Sequence, residues 1–122
     1  MSSLDRKVQR AVRAVLRRTG TMVTWTRVTV GAYTPGNMTV TTSSEDQQIR
    51  GRLDDYTDRE MANAPSIRAG DRKLTIAALD VEGEPPDVDD QITIGTVPHS
   101  VVRVSREYGQ DEPALYVLQL RS

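Results

Sequence analysis

Over residues 1–20 the apolar positions Leu4, Val8, Ala11, Val12, Val15 and Leu16 recur at spacings of three and four. That period gathers them on one stripe of a helix and leaves the basic residues on the other faces. Ser2 or Ser3 can cap the start. Asp5 stands in the first turn, where the helix dipole favours an acid, and Arg17 and Arg18 in the last, where it favours cations. Gly20 is a natural stop. The spacing predicts a helix over residues 4–18. It either packs its Leu–Val stripe on the rest of the molecule or offers the stripe or the basic face to another chain, and the two are compatible.

From Thr21 the texture changes to β-branched residues in alternation. Residues 22–30 read as a strand that breaks at Gly31. Residues 33–37 read as a turn, with Pro35-Gly36 at the central positions of type II, and residues 38–43 as the returning strand of a hairpin. A third short strand covers residues 48–53, where Ile49, Gly51 and Leu53 alternate with Arg50 and Arg52. Residues 54–71 are polar and irregular, with a brief helical turn available at 58–62 before Pro65 and Gly70. Further strands are expected at 72–81 (Leu74 and Ile76 inward), 91–96 (Ile92 and Ile94), 100–107 (Val102 and Val104) and 114–121. The last has apolar groups on both faces, Leu115 and Val117 on one and Tyr116, Leu118 and Leu120 on the other, as befits a central or closed position. The fold class is mainly β: a small β-barrel or β-sandwich of about seven short strands, residues 21–122, behind one amphipathic N-terminal α-helix, residues 1–20. No internal repeat is visible.

Composition narrows the chemistry. The 122 residues suit one domain. With no Phe and 4% aromatics, the core must be aliphatic. The absence of Cys excludes disulfides, thiolate–metal sites and a thiol nucleophile, and a single His nearly excludes histidine clusters. No apolar run approaches the roughly 20 residues of a membrane span. Residues 1–20 hold no apolar core of the signal-peptide kind, so nothing points to export. Charge is uneven. Residues 1–20 carry six basic groups and one acid, a net +5; the remainder carries ten basic and sixteen acidic groups, a net −6. A basic head on an acidic body can meet an anionic partner through the head, whereas the body lacks a nucleic-acid footprint.

Candidate chemistry is sparse. His99 has no Ser or Cys partner at a recognisable spacing, and acid–base work needs a second titrating group in reach. Asp87, Asp89 and Asp90 resemble a calcium cluster in composition but not in spacing; a turn whose carboxylates bond nearby N–H groups fits better. Asp54, Asp55, Asp58 and Glu60 invite a hydrolytic carboxylate pair, but they share a polar loop with Arg59 and read as a solvated or partner-facing surface. Gly-rich phosphate loops are absent. A membrane-surface helix would want Trp or Phe on its apolar face, and this helix has neither. No catalytic, cofactor or metal residue is assigned. The candidate partner-interface residues are Arg6, Arg10, Arg13 and Arg17 on the helix and Asp54, Asp55, Tyr56, Arg59 and Glu60 in the loop at 54–70. The loop at 31–38 is the second candidate segment.

One ordered combination of residues goes further. Ile67-Arg-Ala-Gly70-Asp71-Arg72 precedes Leu74-Thr-Ile76; Pro86, Asp90, Ile92-Thr-Ile94-Gly95 and Val102-Arg-Val104 follow, ending in Tyr116-Val-Leu118-Gln119-Leu120-Arg121. This order resembles the small head–tail joining proteins of tailed bacteriophages and prophages, also called head-completion, head-closure or stopper proteins. The likeness is loose over residues 21–122 and strongest over 67–121. Two positions depart from it: Asp89 stands where relatives tend to have Gly, and His99 where they tend to have an aromatic. Gly70, Asp71, Pro86, Asp90 and Gly95 read as turn formers, and Tyr116, Leu118 and Leu120 as core.

The resemblance implies a structural virion protein without catalytic activity or cofactor. It would be made in the host bacterial cytoplasm and located in the neck. It would be a monomer in isolation that joins a ring of copies on a portal or adaptor, closes the channel after DNA packaging and receives a tail-terminator or tail protein. The long loop would order on docking. Packaged DNA would pass an acidic body without specific binding, and no membrane is involved. A tail-terminator or other tail-completion ring protein is the nearest alternative. A small oligonucleotide-binding barrel is the second; it would want aromatic groups amid basic ones on its strands, and Trp25 and Tyr33 have only Arg27 nearby.

Overall fold

The computed structural model describes residues 3–34 and 39–122, with side chains left undescribed over 29–44. The chain runs α1 (Ser3–Thr19), β1 (Thr21–Thr34), β2 (Thr39–Asp55), α2 (Asp58–Asn63), β3 (Arg72–Ala77), a 3₁₀ turn (Ala78–Asp80), β4 (Gln91–Ile94), β5 (Val97–Tyr108) and β6 (Pro113–Arg121). The six strands close into an antiparallel barrel in the order β1-β2-β3-β6-β5-β4. The protein is therefore mainly β, a small barrel with one N-terminal helix.

Alternation explains the core. Val23 and Trp25 from β1, Ile49 from β2, Leu74 and Ile76 from β3, Ile92 from β4, Val101 from β5 and Tyr116, Leu118 and Leu120 from β6 fill the interior. Each large aliphatic group withdrawn from water contributes about 1.5–3 kcal/mol, enough for a core that lacks Phe. Gly51 marks a place where strands approach closely: a Cβ there would lie 2.6 Å from a Leu74 methyl and 2.9 Å from the Thr75 carbonyl.

Four strand assignments change. The strand expected over 72–81 ends at Ala77, where the 3₁₀ turn Ala78–Asp80 takes over. Residues 38–43 and 48–53 are not separate strands, because residues 39–55 form the single strand β2, which reduces the expected seven strands to six. The polar stretch Thr41–Gln48 reads as an interruption only when burial is expected along the whole strand. Gly31 does not end β1. Val30 pairs with Thr42 and Tyr33 with Val40, so two β1 residues oppose one on β2; the break is a bulge. In β5 a second register shift lies between Val101 and Arg103. It changes the phase of alternation, so Val101 and Val104 turn inward and the expected Val102–Val104 face does not exist. The Pro35-Gly36 turn falls outside the described residues.

Turn residues behave as their chemistry dictates. Gly70 (φ +90°) precedes β3, and Gly95 (φ +63°) opens the two-residue link between β4 and β5, matching a II′ turn. Asp89 has φ +77°, a conformation that glycine adopts freely and Asp tolerates. Pro86 is buried in the same turn.

The largest correction concerns α1. Leu16 is buried as expected, but Leu4 and Val15 are about half exposed, and the buried positions beside Leu16 are Asp5 and Gln9. The helix is turned by roughly one residue's angle from the orientation that its apolar stripe would favour. Hydrogen bonds at its N-terminal half decide this. The Asp5 carboxylate accepts from the backbone N–H of Gln110 (2.6 Å) and Asp111 (3.1 Å), and Gln9 Nε2 donates to the Pro113 carbonyl (2.9 Å).

Candidate functional site

Two exposed surfaces contain the sequence-predicted interface residues. The first is the segment 54–70 and the sheet beneath it. The brief helical turn expected at 58–62 is present as α2, and the segment around it, expected to be loose, is fastened. Thr57 caps α2 with a full capping box: its hydroxyl accepts from Glu60 N (3.1 Å), and the Glu60 carboxylate accepts from Thr57 N (3.2 Å). Glu60 then reaches β3, where Lys73 Nζ lies 2.8 Å away, and that ammonium stands 5.3 Å from the centre of the Tyr56 ring.

The other end of the segment is tied more deeply. Asp71 is buried and accepts from Arg68 N (2.9 Å), Gln119 Nε2 (2.9 Å), Arg121 Nε (3.0 Å) and an Arg121 terminal nitrogen (2.9 Å). Gln119 and Arg121 also donate to the Ser66 carbonyl, each at 3.1 Å. Burial pushes the Asp71 carboxyl up. The hydrogen bonds from Arg121, Arg68 N and Gln119, with the charge of Arg121, outweigh it and hold the group at about 2. The same contact raises the Arg121 guanidinium further.

Beneath this flap lies a groove of about 470 Å³, lined by Tyr56, Ile67, Lys73, Arg103, Leu115 and Val117 among others. It explains the two-sided apolar pattern of β6: Tyr116, Leu118 and Leu120 face the core, while Leu115 and Val117 face the groove. Desolvation raises the Tyr56 phenol, with Glu60 and Asp71 adding to the effect and Arg103 opposing it. Tyr56 therefore offers a neutral O–H at ordinary pH.

The second surface is the outer face of α1. Arg6, Arg10 and Arg17 are exposed. Arg13 is half-buried and pairs with Asp80 at 3.1 Å. Arg10, Arg13, Ala14, Arg17 and Arg18 surround a shallow hollow of about 300 Å³. Six cationic side chains, of which Arg13 is paired, on a helix anchored at both ends, by Asp5 and by Leu16, make a positioned basic face.

The remaining candidates resolve into local structure. Asp90 is buried; its carboxylate accepts from the Trp25 indole N–H and from Asp87 N, both at 3.0 Å. Asp87 accepts from Val88 N at 2.8 Å. These are turn carboxylates, and among the described residues no cluster of three acidic or His side chains is placed to hold a metal. Asp54 pairs with Arg52 at 3.4 Å and Asp55 with Arg72 at 3.5 Å. Glu60 is held below the usual carboxylate range, first by the Lys73 hydrogen bond and then by Thr57 N. A hydrolytic acid needs a raised carboxyl, and neither Glu60 nor Asp71 supplies one. His99 is buried on β5 with Nδ1 3.1 Å from the Val97 carbonyl. Trp25 is sealed in the core under Arg27, 4.6 Å above its ring, so it cannot stack on a base.

Arg59 is exposed on α2 and, like Asp54, Asp55 and Tyr56, lies on the flap side; the helix arginines form a separate face. Sequence reasoning did not find Lys73, Arg103 and Ile67 as groove residues, or Asp5 and Gln9 as anchors. The apolar outer face of β6 was the one available signal for the groove. No local signal could pair Asp5 with a loop more than a hundred residues away. In comparisons with known proteins, no family model and no curated protein matches this chain.

Proposed function

We propose that the protein is a structural component of the neck of a tailed phage or phage-derived particle. It acts by docking and transforms no molecule. It joins a ring of copies at the head–tail junction, seats on a portal or adaptor, helps close the channel after DNA packaging and presents a surface to the tail. The observation that carries this reading is the pairing of two exposed surfaces on one closed barrel. One is a basic helix face pinned to the wall. The other is a flap over a mixed apolar and charged groove. Docking onto an ordered ring needs rigid, separate surfaces of this kind, since pre-organised groups lose less entropy on binding.

The ordered residue pattern from Ile67 to Arg121 supports the same reading through its resemblance to head–tail joining proteins. The flap changes one part of the expected mechanism. Its capping box and the Asp71 clamp favour a surface formed before docking over a loop that orders on contact. The acidic body, net −6 over residues 21–122, suits a wall that DNA passes without adhering.

Deleting the gene tests the proposal by electron microscopy of the resulting particles. Filled or leaking heads separated from finished tails are the expected result. Overlong tail tubes would transfer the assignment to a tail terminator. Mature, infectious particles lacking the protein would overturn it.

A further inference from the structure

The two longest strands outrun the barrel. β1 pairs with β4 only at Thr24, Trp25 and Thr26, and β2 pairs with β3 only from Gly51 to Asp55. Beyond these points β1 and β2 continue to pair with each other, from Arg27↔Glu45 through Val30↔Thr42 to Thr34↔Thr39. Among the described residues this is a two-stranded arm with no third strand on either side. At the rise of an extended chain it is about 25 Å long.

An arm of this kind presents two rows of unpaired backbone N–H and C=O groups, and natural edges are normally guarded by charge, Pro or a cover. This one carries no charged side chain from Val28 to Ser44, in a chain that is 27% charged. β5 provides the internal contrast. It also runs past its short neighbour β4, but that stretch contains Arg103, Arg106 and Glu107. The molecule guards one overhanging strand with charge and leaves the other two bare.

We propose that the arm is a self-association element in which the free β1 edge of one copy pairs, antiparallel, with the free β2 edge of the next. A second copy is the occupant that the geometry favours. The two edges belong to one antiparallel hairpin, so arms pointing the same way around an axis bring β1 beside β2 at every seam. A closed cycle of such seams leaves no edge open. The base of the arm carries charge: Arg27, whose guanidinium lies over Trp25 and donates to the Glu82 and Glu84 carbonyls, stands at the foot of the β1 edge, with Glu45 and Asp46 at the foot of the β2 edge. In-register pairing of copies brings Glu45 and Asp46 toward the positive charge that Arg27 keeps in those contacts and disfavours a slipped register. A net charge of only −1 puts little repulsion in the way. The inference deepens the neck reading by naming the contact between copies in its ring, while resting on sheet topology. Infectious particles without the protein would refute the neck reading, whereas the association measurements below test the arm alone.

Sedimentation of the full-length protein over rising concentration, with amide hydrogen exchange in parallel, tests it. The expected result is a monomer when dilute and species larger than a dimer when concentrated, with protection growing at residues 28–34 and 39–44. The V28K/V40K variant puts a charge on each strand of the arm without placing the two opposite one another. It should weaken association at least about tenfold while the buried Trp25 keeps its fluorescence. L4S/V15S, on the exposed side of α1, should associate as the wild type does. A wild-type protein that stays monomeric to its solubility limit would overturn the proposal, as would a dimer that never grows. Unchanged association in V28K/V40K, or loss of association in L4S/V15S, would do the same. If V28K/V40K does not fold, the wild-type exchange pattern decides: no added protection over the arm on concentration refutes it.

Discussion

The flap at 54–70 and the helix α1 both lie against the outside of the same barrel, but they are held in different ways. The flap is fastened by charge: Asp71 gathers Arg121, Gln119 and Arg68 N, and Glu60 reaches Lys73. The helix is fastened mainly by a buried carboxylate on backbone N–H groups, one part-buried amide–carbonyl bond and a single buried Leu, with the more exposed Arg13–Asp80 pair and an Arg50 bond to the Arg17 carbonyl beside them. An amphipathic stripe would lead one to expect the reverse, with the helix gripped by apolar burial and the polar flap loose. The lesson is that a few buried hydrogen bonds to charged groups, each worth about 1.5–3 kcal/mol, can set an element's orientation against a weak apolar preference made of Val and Ala.

Asp71→Ala should break this comparison most severely. It leaves the Arg68 N–H without its acceptor and Arg121 and Gln119 with only the Ser66 carbonyl, at a cost of about 3 kcal/mol, since Arg121 also retains some access to water. Urea unfolding would show the loss, and limited proteolysis would cut first within 54–70. The same clamp carries a pH signature. The Asp71 carboxyl is depressed to about 2 in the folded state, so its contribution is fully present above the ordinary carboxylate value. It fades as pH falls through that value toward 2. Wild type should lose roughly 2 kcal/mol more than Asp71→Asn on acidification across that window. Equal acid sensitivity of the two proteins would contradict the clamp.

Asp5→Ala is the matching test on the helix, with a cost of about 2 kcal/mol. Helical circular dichroism should fall while the core signal of Trp25 persists, because none of the barrel's core cluster comes from α1. The smallest pair sharpens the orientation itself. Leu16→Ala should destabilise by about 2 kcal/mol and Val15→Ala by close to zero, since Ala is the better helix former and Val15 is exposed. Equal costs for these neighbours would mean that the apolar stripe faces the wall after all.

Much of this architecture was legible in the residue order. The 3–4 spacing located α1 to within a residue at each end, and Gly70 and Gly95 marked turns that need positive φ. Alternation in Leu74–Ile76 and Tyr116–Leu118–Leu120 identified the inner face, because a strand's period of two leaves no other arrangement of a buried side. The candidate surfaces were legible only in outline. Arg6, Arg10 and Arg17 could be placed on an exposed helix face, but the groove beside Tyr56 needs Arg103 from a strand with no sequence link to it.

Local order therefore determined element types, the turns and the identity of the barrel's interior, all of which depend on neighbours two to four residues apart. Tertiary structure decided the rest: which way α1 faces, that the polar stretch 54–70 is a fastened flap, and that β1 and β2 extend beyond the closed wall. The first two outcomes turn on partners from about fifty to more than a hundred residues away, as with Asp71 and Arg121 or Asp5 and Gln110. Hydrogen-bond geometry between such partners exists only once the barrel has closed, so no periodicity along the chain encodes it.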